Sequence, residues 1–311
     1  MNKFIQTYFT LFITVSMVLG FVFPDFFILF GKYTLQLLAG LMLSSFLGMD
    51  FKRFIRRIKK PGPYLLVFLF IKIVLAALLF FLIKPFDETI AVGVLLLVAA
   101  PSAGVSPTLT RICKGDVEFI IGFLIFTTIV SPFSLPITMN VLAGTEMDID
   151  MMGMIETMVS LIIIPMTISV LAKRFLRKQV EKVQPYLSST AVIILSLMLL
   201  GLTSLGAPMV KANMDIIPLY GGAALVLGII LSLSGYFFFG FMDRKKRIGL
   251  SLSTLYINVG LIVVLASRYF PERVMIFTLC YMIPANFFPW VIKKITAETK
   301  DLTGTPGRNN S

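Results

Sequence analysis

The sequence has no histidine, two cysteines (Cys113 and Cys280), one tryptophan, and charge on only 14% of its 311 residues. Each shortage removes a class of chemistry. Without histidine the Ser-His-Asp route to hydrolysis is closed, and the short G-x-S at Gly104–Ser106 carries no weight against that. No Cys/His cluster is present to build a zinc site. Two distant cysteines make no disulfide framework, so nothing calls for an oxidising compartment. There is no G-x-x-x-x-G-K-[ST] loop to cradle ATP phosphates, so the chain is not a primary pump by itself. No apolar segment holds a second deep carboxylate beside Glu156, which lies near the end of its own segment and reads as interfacial. An aspartyl dyad is therefore excluded. The expectation is a protein that is not an enzyme and needs no cofactor.

What is abundant is apolar surface. Hydrophobic residues make up 57% of the chain and mean hydropathy is +0.92. A soluble domain carries about 25% charged and 45–50% apolar residues. Ten stretches are long enough to cross a ~30 Å hydrocarbon core, which takes about 20 residues. They cover 4–23, 27–49, 62–84, 88–112, 117–141, 150–172, 183–205, 214–241, 246–268 and 272–295. The first is not read as a signal peptide, because no small-residue cleavage site precedes Pro24-Asp25 and nine spans follow. The expected fold class is an all-α polytopic membrane protein.

The net charge of +12 would suggest nucleic acid in a soluble protein; here it reports orientation. With ten spans, one membrane face collects Lys3, the run Lys52–Lys60, Arg111 and Lys114, the run Lys173–Lys182, Arg244–Arg247, Lys293, Lys294, Lys300 and Arg308. These are 22 of the 28 Lys and Arg. The other face has Lys32, Lys84, Lys211, Arg268 and Arg273. The positive-inside rule puts the first face in the cytoplasm, with both termini there, as expected for a multi-pass protein of the plasma membrane, the inner membrane of a bacterial cell. The basic loops then meet anionic membrane lipid, not nucleic acid.

One lysine remains. Lys72, in "LLVFLFIKIVLAALL", is ten residues from Gly62, about 15 Å along a helix, near mid-bilayer. A charge there costs about 2.5–3.5 kcal/mol on insertion scales, so Lys72 should face the protein interior or a wet cavity.

The stretch "LLLVAAPSAGVSPTLTRICKGD", residues 95–116, starts as a membrane helix and then places Pro101, Ser102, Gly104, Ser106, Pro107, Thr108 and Thr110 where a bilayer supplies no water. Irregular backbone is tolerated at that depth only inside protein or beside a wet cavity. Pro101 should end one half-helix. Ser106 should cap a second, with Pro107 in its first turn, aiming a positive dipole end suited to anions into the break.

Five spans precede the loop "GTEMDID" and five follow it, so the halves are inverted repeats, 1–145 and 146–296, followed by a disordered cytoplasmic tail at 297–311. Span 4 then corresponds to span 9, whose "SLSTLYINVGL" carries Ser253, Asn258 and Gly260, with Asn258 expected to cap after a second break. Two interrupted spans at matching positions point to a transport site where they cross. Structural readings suffice for Pro132 and Pro165 as kinks and for Tyr64, Tyr269 and Trp290 as interfacial anchors.

"ETIAVGVLLLVAAPSAGVSPTLTRICKGDVEF" resembles the segment of the bile acid:sodium symporter family, bacterial members included, in which P-G-G-x-x-S-N precedes a threonine and G-D or G-N. "GLMLSSFLGMDFKRFIRRIKKP", "TTIVSPFSLPITMNVLAG" and "INVGLIVVLA" are similar to other family segments, and the likeness covers nearly the whole chain. It implies a core domain of spans 3–5 and 8–10 moving against a panel of spans 1–2 and 6–7, with organic anions as substrates.

The sodium ligands that the family implies are mostly lost. Ser106 is kept, but the adjacent asparagine is Pro107. The span 5 hydroxyl positions fall on Ile120 and Leu124, the span 9 glutamate on Ser253, and the first glutamine of its run on Ile257. Asn258 is kept. Hard cations need several oxygen ligands, which Ile and Leu cannot supply. Lys72 falls within a residue of the family's span 3 glutamine. No resident metal is expected. The expectation is a secondary transporter for a small organic anion in which Lys72 stands in for sodium, the coupling ion being a proton released by Lys72, or sodium. A conventional sodium symporter and a non-transporting membrane sensor are the alternatives.

Overall fold

The computed structural model of the chain describes residues 9–49, 61–144 and 149–282. The expected basic loop Lys52–Lys60, most of the loop between the halves, the end of the tenth span, Trp290 and the tail lie outside the described residues, as do Lys3 and Lys293–Arg308.

Regular structure among the described residues is helical. The order is α1 (Phe9–Val22), α2 (Pro24–Lys32), α3 (Thr34–Leu47), α4 (Gly62–Phe68), a π-helical segment (Leu69–Leu75), α5 (Ala76–Ile83), α6 (Glu88–Ala99), α7 (Ser106–Ile112), α8 (Val117–Ala143), α9 (Met151–Phe175) and α10 (Arg177–Val183). After a 3₁₀ turn at Gln184–Tyr186 come α11 (Leu187–Ala212), α12 (Ile217–Phe237), α13 (Arg244–Leu255), α14 (Val259–Tyr269) and α15 (272–282). Among the described residues five helical stretches are long and apolar enough to cross a membrane: Gly62–Ile83, Val117–Ala143, Met151–Phe175, Arg177–Ala212 and Ile217–Phe237. The pair Leu11–Val22 and Pro24–Lys32, bent by 113°, makes a sixth if counted as one span.

Capping chemistry explains several starts. Asp87, Asp116 and Asp150 each accept a hydrogen bond from the backbone N–H three residues on, at 2.8, 2.9 and 2.8 Å, which satisfies donors that the first helical turn leaves free. Between α7 and α8, Lys114 takes a positive φ of 57°, while the Gly115 N–H reaches the Thr110 carbonyl and the Lys114 N–H that of Arg111. This is a Schellman ending with lysine in the left-handed position.

The expected second span, 27–49, is corrected. Pro24, which has no N–H to give, opens α2 after the turn at Phe23. A second break at Tyr33 separates α2 from α3, and the Thr34 hydroxyl there bonds the Gly31 carbonyl at 2.6 Å. Packing rewards the bends, because α1, α2 and α3 all lie on α11. A Cβ on Gly20 would strike Leu200 and Thr203, and one on Gly201 would strike the backbone of Phe30 and Gly31. Alongside, α9 runs parallel to α3, with the Lys173 ammonium donating to the Phe46 and Met49 carbonyls.

The second group of helices centres on α8. Tyr64 packs against Phe119 and Phe126, with ring centroids 5.2 and 6.5 Å apart, and Phe68 against Phe126 at 5.7 Å. Tyr64 is thus a buried core residue, not the interfacial anchor expected of it, because the small Gly122 admits its ring. Helix α13 packs on α7, α8 and α12. Pro132 and Pro165 lie inside the continuous helices α8 and α9.

Two glycine substitutions test this packing. Gly201→Ala should lower stability by about 1–3 kcal/mol, the cost of overpacking, since backbone cannot step aside. Gly221→Ala, with nothing within 4 Å, should be neutral or raise stability by roughly 0.5–1 kcal/mol. Thermal unfolding in detergent measures both.

Candidate functional site

Helix α6 ends at Ala99, where Pro101 forbids continuation, and α7 begins at Ser106. Helix α13 ends at Leu255 and α14 begins at Val259. The two gaps meet. Ser102 and Ile257 form an antiparallel bridge, the lone strand-type pairing among the described residues. The Asn258 N–H donates to the Pro101 carbonyl at 2.8 Å, and the Ala103 N–H to the Tyr256 carbonyl at 2.7 Å. Each break therefore supplies the backbone partners that the other lacks.

Side chains complete the crossing. The Ser102 hydroxyl donates to the Ser253 carbonyl, and the Ser253 hydroxyl donates to Ser102 Oγ, both at 3.0 Å. The Ser106 hydroxyl donates to the Tyr256 carbonyl at 3.3 Å. The Ser102 N–H donates to Thr127 Oγ1 at 3.3 Å, and the Tyr281 hydroxyl to the Leu255 carbonyl at 2.8 Å. Asn258 caps α14 as expected, accepting from the Leu261 N–H at 3.2 Å. Ser106 does not cap α7. Val105 holds that position without a side-chain bond, and Ser106, with Pro107 after it, is already in the first turn. The reason is that the Ser106 hydroxyl is drawn across to Tyr256 instead of along its own helix.

The other expected residues divide. Thr110 is buried and bonds the Ser106 carbonyl at 2.8 Å, whereas Gly104 and Thr108 are exposed and Pro107 half-buried. Gly260 is buried against Met198 of α11, where a Cβ would meet the thioether methyl. A Cβ on Gly104 would lie 3.9 Å from Ser45 of α3. Both breaks thus come up to helices of the other packing group.

Lys72 makes no hydrogen bond to these residues. It is 1% exposed, its ammonium is buried with no hydrogen-bond partner among the described residues, and it sits in the π-helical segment. Pi-helical turns concentrate at functional positions. Its depth follows from the aromatic ladder: Phe68 meets Phe126, beside the Thr127 that bonds Ser102, and Lys72 lies one turn, about 6 Å, beyond Phe68. The Tyr256 hydroxyl is a second buried group without a hydrogen-bond partner.

Thr127, Tyr256, Tyr281 and the pairing role of Ile257 escaped the sequence reading. "TTIVSP" offers two adjacent threonines, and only the fold selects Thr127 over Thr128, whose hydroxyl turns back to Leu124. Chemically, the crossing is a neutral, hydroxyl-rich centre. Residues 101–110 and 253–260 contain no carboxylate, and the Ser102, Ser106, Ser253 and Thr127 oxygens are already engaged. Those hydroxyls hold the crossing together through the hydrogens that they donate, and no formal negative charge stands among them.

The class is therefore an all-helical, multi-pass membrane protein whose broken helices cross. Residues 34–213, more than half of the chain, match the model of the Sodium Bile acid symporter family, and the chain belongs to that family of secondary transporters. Among its relatives is the "Uncharacterized sodium-dependent transporter YocS" of Bacillus subtilis (strain 168), 23% identical over 274 residues, 84% of this chain and 82% of the relative. Another is the "Probable sodium/metabolite cotransporter BASS5, chloroplastic" of Arabidopsis thaliana, 25% identical over 249 residues, 75% of this chain and 59% of the relative.

The crossing should be fragile at Thr127. Thr127→Val leaves the Ser102 N–H unpaired in a dry interior and should cost about 1–3 kcal/mol, while Thr127→Ser, which keeps the acceptor, should stay near wild type. Unfolding midpoints in detergent read the difference.

Proposed function

We propose that this transporter moves a small organic anion by alternating access, and that the Lys72 ammonium supplies the positive charge for which sodium-coupled relatives use sodium. The architecture proposed with it has ten spans in two inverted five-helix repeats, 1–145 and 146–296. A core of spans 3–5 and 8–10 moves against a panel of spans 1–2 and 6–7, with both termini in the cytoplasm. The substrate and coupling site is assigned to Lys72 with Pro101, Ser102, Gly104, Ser106, Pro107, Thr108, Thr110, Ser253, Asn258 and Gly260.

One observation carries the reading: the Lys72 ammonium is buried with no hydrogen-bond partner among the described residues, and residues 101–110 and 253–260 of the crossing hold no carboxylate. An uncompensated buried cation is costly, and an anion arriving beside it offsets that cost. The N-terminal ends of α7 and α14 add positive dipole ends at the same crossing. The proton is the coupling ion if Lys72 releases its proton once the anion leaves. Sodium coupling is the rival reading, favoured by the sodium dependence in the names of the relatives.

A thermal-shift panel of carboxylates, sulfonates and phosphate esters, run with and without sodium, identifies the anion, because a ligand that binds the folded state raises its stability. Uptake of that anion into proteoliposomes should saturate, respond weakly to a sodium gradient, and fall by on the order of tenfold or more in Lys72→Gln. Steep sodium dependence together with normal uptake in Lys72→Gln would overturn the built-in cation. Binding without any flux would point to the sensor.

A further inference from the structure

A groove of about 560 Å³ lies between α3 and α9, closed at one end by the end of α14. That volume falls in the range of small-molecule sites. The lining is sharply graded. Gln36, Glu156 and Arg268 sit together at one end; beyond them the walls are chiefly apolar, with Leu43 on α3 and Ile164 and Ile168 on α9. From Glu156 to Ile168 the α9 stripe runs twelve residues, about 18 Å. Ile164 and Ile168 are 55% and 47% exposed, so the trough is open along its side. In a helix read as crossing the bilayer, that side faces acyl chains.

The charges at the closed end point to the occupant. Glu156 and Arg268 line one groove yet form no ion pair with each other, and among the described residues neither makes a hydrogen bond. A plain anion would satisfy Arg268 and be repelled by Glu156. A ligand carrying both signs satisfies both, and a primary ammonium can donate hydrogen bonds to a carboxylate, which a quaternary one cannot. A headgroup at one end and an apolar trough behind it together describe an amphiphile.

We propose that this groove binds a phosphoethanolamine lipid, with the phosphate on Arg268, the ammonium on Glu156 and an acyl chain lying along Leu43, Ile164 and Ile168. The site is separate from the helix crossing, and the inference needs only the membrane-spanning reading, not the transport of any particular anion. Arg268 belongs to α14 of the crossing pair, while Glu156 and Gln36 belong to the other packing group. The lipid headgroup therefore bridges the two groups and ties their relative position to membrane composition.

Native mass spectrometry of the purified protein in micelles containing equal amounts of phosphatidylethanolamine, phosphatidylcholine and phosphatidylglycerol tests this. The phosphatidylethanolamine adduct should exceed the phosphatidylcholine adduct by about tenfold, the scale of one charge-assisted hydrogen bond. Glu156→Gln should bring the two lipids to parity. Arg268→Gln should reduce both. Leu43→Trp, which fills the trough without altering charge, should remove every lipid adduct. All three positions line an open groove, and a circular dichroism melt near that of wild type checks that each variant is folded. Equal retention of the lipids by wild type, or a wild-type pattern in Arg268→Gln and Leu43→Trp, would overturn the proposal. So would displacement of the lipid by soluble glycerophosphoethanolamine, which has no acyl chains.

Discussion

A backbone that leaves the helix inside a bilayer must find its hydrogen-bond partners in protein, and this structure depends on how that requirement is met. Two breaks, around Ser102 and Ile257, are each other's partners. Neither is tolerable alone. Pro101 ends α6 but leaves its own carbonyl in need of a donor, which the Asn258 N–H supplies; the Tyr256 carbonyl, orphaned at the end of α13, receives both the Ala103 N–H and the Ser106 hydroxyl. The hydroxyl bonds of the crossing join residues 150 and 151 apart in the chain. Formation of the centre therefore requires the two halves of the chain to come together, and a lesion in one half exposes polar backbone in the other.

The chemistry left over after this pairing is polar but carries no formal charge. Hydroxyl oxygens are present in number, but they are committed to holding the crossing together. No carboxylate stands among residues 101–110 or 253–260 to draw a cation in. The deeply buried charge is Lys72, carried on a π-helical segment that interrupts the regular hydrogen bonding of its span. Among the described residues the Lys72 ammonium has no hydrogen-bond partner, and the proposal that an anionic substrate meets it follows from the sign of that charge.

How much of this could be read from the sequence depended on the strength of each local rule. Proline and glycine in an apolar run have few structural outcomes, so the break after Ala100 was legible, as were the second break before Val259 and Asn258 as its cap. The burial of Lys72 followed from its place in the middle of an apolar run. Tyr33 was not legible as a break, because no proline or glycine stands at that point; the turn depends on the Thr34 hydroxyl and on the fit of α2 against Gly201, which is distant in sequence. The π-helical segment left no trace in "LFIKIVL". Ser106 failed as a cap for a related reason: a serine before a proline satisfies the local rule, but a carbonyl from the other half of the chain competed for its hydroxyl and won. Thr127 over Thr128 is again a tertiary choice.

The glycines mark where the helices come closest, and the atoms that a side chain there would meet differ from place to place. Within the group formed by α1–α3 and α11, added Cβ atoms at Gly20 and Gly201 would strike backbone atoms of Leu200, Phe30 and Gly31. Within the other group, Gly235 meets the Leu250 backbone and Gly115 the backbone of Lys245 and Gly249. Between the groups three glycines meet side chains, as Gly31, Gly93, Gly122 and Gly249 also do within them. Gly260 faces the tip of Met198, Gly206 faces Leu279 and Met275 side chains, and Gly104 stands 3.9 Å from the Ser45 hydroxyl. Backbone against backbone fixes a distance, because a few tenths of an ångström either way brings a clash or a void. Methionine and leucine tips can change rotamer, and methionine is the most adaptable of the apolar side chains. Hydrogen bonds also join the groups: the Tyr269 hydroxyl at the end of α14 donates to the Gly153 carbonyl of α9 at 2.7 Å and lies 2.6 Å from the Thr157 hydroxyl. Any displacement of one group over the other would have to exchange these bonds as well as change side-chain rotamers, whereas the paired backbones of the crossing lie within one group.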